Sequence, residues 1–179
     1  MLRPALFLDR DGVINVDRGY VHRVDDFEFM PGIFGLVRGC RRLGYRIIVV
    51  TNQAGIGRGY YSEQQFQALS AWMQTRFRAE AAEVDAVYHC PHHPEHGIGM
   101  YRQDSHDRKP KPGMLLRAAK DWSLDLSRSV LLGDRASDIR AALAAGVPHR
   151  FLYRSTDPPE DAIAVAEFDE VIQQLQLLS

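Results

Sequence analysis

Ala5-Leu6-Phe7-Leu8-Asp9-Arg10-Asp11-Gly12 opens with four apolar residues and stops on two aspartates and a glycine. A short, continuously apolar run bounded by a turn signal reads as a strand buried on both faces. The same pattern recurs along the chain. Tyr45 to Val50 is apolar and β-branched and ends at Thr51-Asn52, and Val84 to Tyr88 is a third run. Val130-Leu131-Leu132 ends at Gly133-Asp134, and Arg150 to Tyr153 follows as a fifth. Helical patterns lie between these runs. Pro31-Gly32 precedes Ile33, Phe34, Leu36, Val37, Cys40 and Leu43 at helical spacing, closed by Gly44. Ser62 with Gln65 forms a capping-box pattern that opens a helix with Phe66, Leu69, Met73 and Phe77 on one face. Pro112-Gly113 starts another, Asp138 to Ala145 ends at Gly146, and Phe168, Val171, Ile172 and Leu175 mark a last helix. Apolar strands alternating with helices predict a parallel sheet covered on both faces, a Rossmann-like three-layer α/β/α fold.

In such sheets ligands bind beyond the carboxyl ends of the strands. Asp9, Thr51 and Asp134 each directly follow a strand, so three polar groups far apart in sequence meet at one sheet edge. A calcium loop starting at Asp9 fails, because its glycine and glutamate positions hold Ile14 and Tyr20. Neither a phosphate-binding P-loop nor a GxSxG, HExxH or CxxC pattern occurs. Asp9 and Asp11 alone are equally readable as two solvated carboxylates at a strand end. With the other strand ends added, a chemical set forms. Asp9 can act as a nucleophile forming an aspartyl-phosphate, and Asp11 can handle protons on the same side. Asp134 adds a carboxylate suited to Mg²⁺, which is commonly held by one or two carboxylates with phosphate oxygens and water. Thr51 and Asn52 offer donors to phosphoryl oxygens, and Lys109 a fixed positive charge.

The chain has 179 residues, 45% hydrophobic and 25% charged, the balance of a globular protein. One domain spanning 1–179 is expected, on a prior of roughly 150 residues per domain. Lys plus Arg number 22 and Asp plus Glu 23, which argues against nucleic-acid binding by bulk positive charge. No apolar run nears the roughly 18 residues of a membrane span. The apolar stretch before Asp9 is too short for a signal peptide. Cys40 and Cys90 make no disulfide framework. A cytoplasmic monomer is expected, with a small anionic substrate and neither nucleic-acid nor membrane partners.

Four segments in order resemble the motifs of the haloacid dehalogenase (HAD) phosphohydrolase superfamily. They are Leu6 to Val13, Val49 to Gln53, Arg108-Lys109-Pro110-Lys111-Pro112, and Leu132 to Asp138. Thr51 to Gly59, Cys90-Pro91-His92-His93-Pro94 and Arg108 to Met114 are similar to its heptose bisphosphate phosphatase branch. The resemblance implies a HAD fold and a phosphatase acting on a sugar bisphosphate, for nucleotide-activated heptose and lipopolysaccharide biosynthesis. It implies Asp9 as nucleophile, Asp11 as general acid then base, and Thr51 and Lys109 on the phosphoryl group. It further implies Mg²⁺ on Asp9, Asp134 and the backbone carbonyl of Asp11. Substrate would be met by Asp17, Arg18, Gly19, Tyr20, Asn52, Gln53, Ala54, Arg108 and Arg135. Asp138, four residues after Asp134, reads either as an orienting carboxylate or as an ordinary helix N-terminal acid.

The branch often holds a structural zinc with Cys-x-His followed by Cys-x-Cys. Here Cys90 and His92 fit the first half, while Ser105 and Asp107 occupy the second. Structural zinc prefers four Cys or His ligands, so no zinc is expected; His93, His96 or His106 could stand in for the missing ligands, but a histidine-rich polar loop is the favoured reading. The spacing leaves no room for the cap domain that many HAD enzymes insert, so the loops Asp17 to Tyr20 and Cys90 to Arg108 must select substrate. Two alternatives stand beside this reading: a histidinol-phosphate phosphatase, and a receiver-like module phosphorylated on Asp9 without turnover.

Overall fold

The computed structural model describes residues 2–155 and 158–177. Its strands are β1 (Ala5–Leu8), β2 (Arg46–Asn52), β3 (Ala86–Cys90), β4 (Val130–Gly133), β5 (His149–Tyr153) and β6 (Ile163–Val165). They form one parallel sheet in the order β3-β2-β1-β4-β5-β6. The helices are α1 (Ile33–Arg42), α2 (Ala54–Gly57), α3 (Glu63–Ala79), α4 (Gly113–Trp122), α5 (Ala136–Ala144) and α6 (Phe168–Leu177).

Successive strand side chains point to opposite faces, and the core divides accordingly. Leu6, Leu8, Ile47, Val49, Val130 and Leu132 pack against apolar side chains of α1, α3 and α6. Ala5, Phe7, Ile48, Val50 and Leu131 pack against Met114, Leu115 and Ala118 of α4 and Ile139, Ala141 and Ala142 of α5. Each buried Val, Leu, Ile, Phe or Met among these contributes about 1.5–3 kcal/mol by leaving water. The expected three-layer α/β/α arrangement is what the chain adopts.

β3 runs two residues further than its apolar pattern indicates, from Ala86 to Cys90 instead of Val84 to Tyr88. Asp85 explains the start. Its carboxylate accepts from Ile47 N at 2.7 Å and pairs with Arg41 and Arg46 at 2.9 and 2.8 Å, so pairing with β2 begins after it. Val84 is buried all the same, which gives the sequence its misleading apolar residue. Two short elements, α2 and β6, carry no periodic signal in the sequence.

The strand order reverses at β1, whose neighbours β2 and β4 lead the chain to opposite sides. This switch point opens a crevice at the strands' carboxyl ends. The connections from β1 to α1 and from β3 to α4 each hold one 3₁₀ turn among the described residues, at Val24–Asp26 and Gly99–Tyr101. No cap-sized insert covers the crevice there. No helix among the described residues is long and apolar enough to cross a membrane.

Candidate active site

β1 ends where Asp9 N donates to Leu132 O at 3.1 Å, and the chain then turns tightly. Arg10 O accepts from the amides of Val13, Ile14 and Asn15 at 3.3, 2.8 and 3.1 Å. Gly12 takes φ +90° in this turn, and a Cβ there would lie 2.1 Å from Asp134 Oδ2. Only glycine lets the first turn approach the end of β4 so closely. Asp9 and Asp134 are thereby brought side by side.

The reach of Lys109 into this corner is set by Asn52 at the end of β2. Its amide nitrogen donates to Lys109 O, and its amide oxygen accepts from Lys109 N, both at 3.0 Å. The latch joins residues 57 apart in sequence. Lys109 is 3% exposed. Its Nζ donates to Asp9 Oδ1 at 3.0 Å and Val50 O at 2.8 Å, and lies 2.6 Å from Asp138 Oδ1. Burial alone would lower the lysine pKa, but Asp138 and Asp9 outweigh it and hold the ammonium well above its usual range.

The carboxylates outnumber that one cation. Asp9, Asp134 and Asp138 can each present an oxygen within 4.8 Å of the others. Burial and the Asp138 charge push Asp9 well up, against the pull of Lys109. Burial and Asp138 likewise raise Asp134, whose Oδ1 is buried without a hydrogen-bond partner. Asp138 is already committed, with Oδ2 accepting from Arg135 N at 3.0 Å and Oδ1 paired to Lys109. Asp9 Oδ1 is held by Arg10 N at 2.8 Å and by Lys109. An orphaned carboxylate oxygen beside a second buried carboxylate is the donor chemistry that suits a hard cation. Asp9 and Asp134 fit Mg²⁺.

Asp11 faces the same corner inside a cage of donors. Arg10, 1% exposed, gives Nη2 to both of its oxygens at 2.8 and 3.1 Å and to Val21 O at 2.6 Å. Asn15 Nδ2 donates to Oδ1 at 3.0 Å and Gln53 Nε2 to Oδ2 at 3.1 Å. The crevice itself is a cavity of about 260 Å³ lined by Asp9, Asp11, Lys109 and Asp138 at its floor. Asp17, Tyr20, Arg108 and Arg135 stand on its walls.

A family model described as HAD-hydrolase-like matches residues 106–177. The D-glycero-beta-D-manno-heptose-1,7-bisphosphate 7-phosphatase of Vibrio cholerae is 47% identical over 174 residues, 96% of this chain and 94% of that protein. The D-glycero-alpha-D-manno-heptose-1,7-bisphosphate 7-phosphatase of Burkholderia mallei is 54% identical over 166 residues, 93% and 88% of the two chains. This chain belongs to the heptose-1,7-bisphosphate 7-phosphatase family of HAD-like hydrolases. Among solved structures, a HAD-like phosphatase from Mesorhizobium loti superposes with a TM-score of 0.92 at 33% identity, covering 99% of this chain and 88% of that one. The D,D-heptose 1,7-bisphosphate phosphatase of B. bronchiseptica, complexed with magnesium and phosphate, gives 0.85 at 26% identity, covering 98% and 99%.

Within this family member, the structure gathers Asp9, Asp11, Asp17, Gly19, Tyr20, Asn52, Ala54, Arg108, Lys109 and Arg135 around the cavity. The loop carrying Asp17 is tied to the end of β4 by Arg135, whose Nη2 donates to Asp17 Oδ2 at 2.9 Å. Thr51, in β2, is buried, with its Oγ accepting from Gln53 Nε2 at 2.8 Å and donating to Asn52 O at 3.4 Å. Arg18 and Gln53 go elsewhere. Arg18 is exposed and pairs with Glu28. Gln53 is 2% exposed, with its amide engaged by Thr51, Asp11 and Tyr61 inside the protein.

Ser137 and Asp138 join the cavity although only Asp138 stands out in the sequence, and then ambiguously. Its contact with Lys109 favours the orienting role. Arg108 is half-buried and donates to His92 O at 3.2 Å, and burial together with the Arg58 charge pushes its pKa down. Neither arginine pairs with a carboxylate among the described residues. In the 90–107 loop, Cys90 Sγ lies 3.8 Å from His92 Nδ1. Ser105 Oγ accepts from Asp107 N at 3.2 Å, and the Asp107 carboxylate pairs with Arg117 at 2.6 Å. A thiol, an imidazole, a hydroxyl and a carboxylate committed to arginine do not fit a structural zinc.

Proposed function

We propose that this protein is a Mg²⁺-dependent phosphatase that removes the C7 phosphate of D-glycero-D-manno-heptose 1,7-bisphosphate through an aspartyl-phosphate on Asp9. The observation that carries the reading is the floor of the cavity. There one Asp9 oxygen is fixed by Arg10 N and Lys109 Nζ, beside an unpaired Asp134 oxygen. The names of relatives sharing about half the sequence over nearly its whole length supply the substrate.

In this reading an Asp9 oxygen attacks phosphorus, the bond from phosphorus to the C7 oxygen breaks, and Asp11 gives that oxygen its proton. Asp11 then takes a proton from water as the water attacks phosphorus and frees Asp9. Lys109 and Thr51 hold the phosphoryl oxygens as charge moves onto them. Asp9, Asp134 and the Asp11 backbone carbonyl would hold Mg²⁺. When bound, it offsets the buried carboxylate charge and the charge of the phosphoryl group. Asp17, Gly19, Tyr20, Asn52, Ala54 and Arg135 meet the sugar, and Arg108 its remote phosphate. Gln53 holds Asp11 and Thr51 from inside the protein, and Arg18 pairs with Glu28 at the surface beside the Asp17 loop. The loops do this without a lid.

Phosphate release from heptose 1,7-bisphosphate in the presence of Mg²⁺ tests the reading. EDTA is expected to stop release and Mg²⁺ to restore it. Asp134→Ala should raise the Mg²⁺ concentration needed for half-maximal rate, and a full rate after exhaustive chelation would contradict the metal assignment.

Arg108 provides a further check. A guanidinium binds two phosphate oxygens at once, and among the described residues no carboxylate pairs with Arg108. Arg108→Ala should lower kcat/KM for the bisphosphate about 10–100-fold, the loss of one charge-assisted contact. A small monophosphate ester should lose much less. Equal losses on both would move Arg108 to the transferred phosphoryl group.

A further inference from the structure

Tyr61 lies outside every segment that carries the reaction, yet a chain of hydrogen bonds leads from it to two reacting groups. Its ring is buried, stacked on His22 with centroids 4.8 Å apart and planes 3° from parallel. It packs over Gly55, where a Cβ would come within 2.2 Å of the ring. The Tyr61 hydroxyl donates to Gln53 Oε1. From the other end of that amide, Nε2 donates to Thr51 Oγ at 2.8 Å and to Asp11 Oδ2 at 3.1 Å.

A glutamine amide has two orientations of nearly equal shape and opposite polarity. In the orientation seen, both N–H groups face the reacting residues and every polar atom of the amide has a partner. Turned over, the carbonyl oxygen would face the Asp11 carboxylate and repel it. Thr51 would then have to give its single proton to that oxygen. In the orientation seen, Thr51 Oγ accepts from Nε2 at 2.8 Å and donates its proton to Asn52 O at 3.4 Å. Burial pushes the Tyr61 phenol up, against the nearby Arg10 charge, so the hydroxyl stays a donor at neutral pH.

We infer that Tyr61 is a positioning residue. Through Gln53 it fixes the orientation of the Asp11 carboxylate. The inference rests on the phosphatase reading above. A consequence follows for leaving groups. The alkoxide of a sugar needs the Asp11 proton as its bond to phosphorus breaks, whereas 4-nitrophenolate leaves without one. Disturbing Asp11 therefore harms sugar esters more than aryl esters.

Tyr61→Phe keeps the ring, its stack on His22 and its packing, and removes only the donor. The expected result is a fall of about 10–100-fold in kcat/KM for heptose 1,7-bisphosphate. For 4-nitrophenyl phosphate the fall should be below about fivefold, since its leaving group draws little on the acid. On a Gln53→Met background, Tyr61→Phe should change either rate by less than about twofold, because Tyr61 acts only through that amide. Gln53→Met alone must show the same ester split, which keeps the test available if Tyr61→Phe folds poorly. Equal losses on the two esters, or losses that add across the two substitutions, would overturn the inference. Turnover of 4-nitrophenyl phosphate by the unaltered protein, and its loss in Asp9→Asn, tests the phosphatase reading by itself. Its absence sinks both, whereas turnover without the split sinks only the role of Tyr61.

Discussion

Asp9→Asn is expected to lower phosphate release by at least about 10³-fold while the protein stays folded. An amide can occupy the same space and still accept from Arg10 N and Lys109, which now hold one Asp9 oxygen at 2.8 and 3.0 Å. It cannot act as the attacking carboxylate. Stability should move the other way from activity. Asp9 is buried among Asp134 and Asp138, and those like charges push its pKa up together with burial. Removing its charge relieves that repulsion, so the melting temperature without Mg²⁺ should hold or rise. Added Mg²⁺ should raise it less than in the unaltered protein, because one of two carboxylate ligands is gone. Side-by-side melting curves and phosphate assays, with mass measurement to exclude deamidation back to Asp, check both halves. A variant releasing phosphate at near-normal rate would remove the covalent mechanism.

The second large effect concerns Lys109. Its ammonium is the cation between Asp9 and Asp138, and it is almost wholly buried. Lys109→Met leaves two buried carboxylates facing each other. Breaking a buried charge pair from one side costs about 3–5 kcal/mol. For a protein of this size each kcal/mol lowers the melting temperature by roughly 2–4 °C, so a drop of about 10 °C is expected. Activity should fall about 10²–10³-fold as well, through loss of charge on the phosphoryl group. Adding Asp138→Asn removes one of the stranded charges. The double variant should therefore regain part of its melting temperature and none of its activity. Recovery of activity along with stability would mean that Lys109 serves the fold alone.

The positions of Asp9, Thr51 and Asp134 were legible because a strand buried on both faces is a local pattern, and its last apolar residue marks where the chain leaves the sheet. Placing three such ends together required only that the sheet be parallel. β6 was not legible: its three residues, Ile163–Val165, are mostly exposed and too few to show a period. α2 has four residues and is defined by its packing. The start of β3 was misread because Val84 is buried before the ladder begins, while Asp85 alone marks the boundary through its bonds to Ile47, Arg41 and Arg46.

Within the site, residue type was legible and orientation was not. Asn52 was expected to face phosphoryl oxygens, yet most of its amide is engaged by the backbone of Lys109, far away in sequence. Gln53 follows two residues after Thr51 and was expected on the substrate wall, but it points back into the protein to meet Tyr61. Asp138 was ambiguous until Lys109 was found against it. Each of these depends on a contact between distant segments, and no local pattern encodes such a contact.

Which phosphate leaves decides the reaction. Heptose 1,7-bisphosphate incubated with the protein and Mg²⁺ can be followed by ³¹P nuclear magnetic resonance. The C7 ester signal should decay into inorganic phosphate while the C1 phosphate signal persists in the product. Loss of the C1 phosphate first, or a spectrum that the protein leaves unchanged, would contradict it.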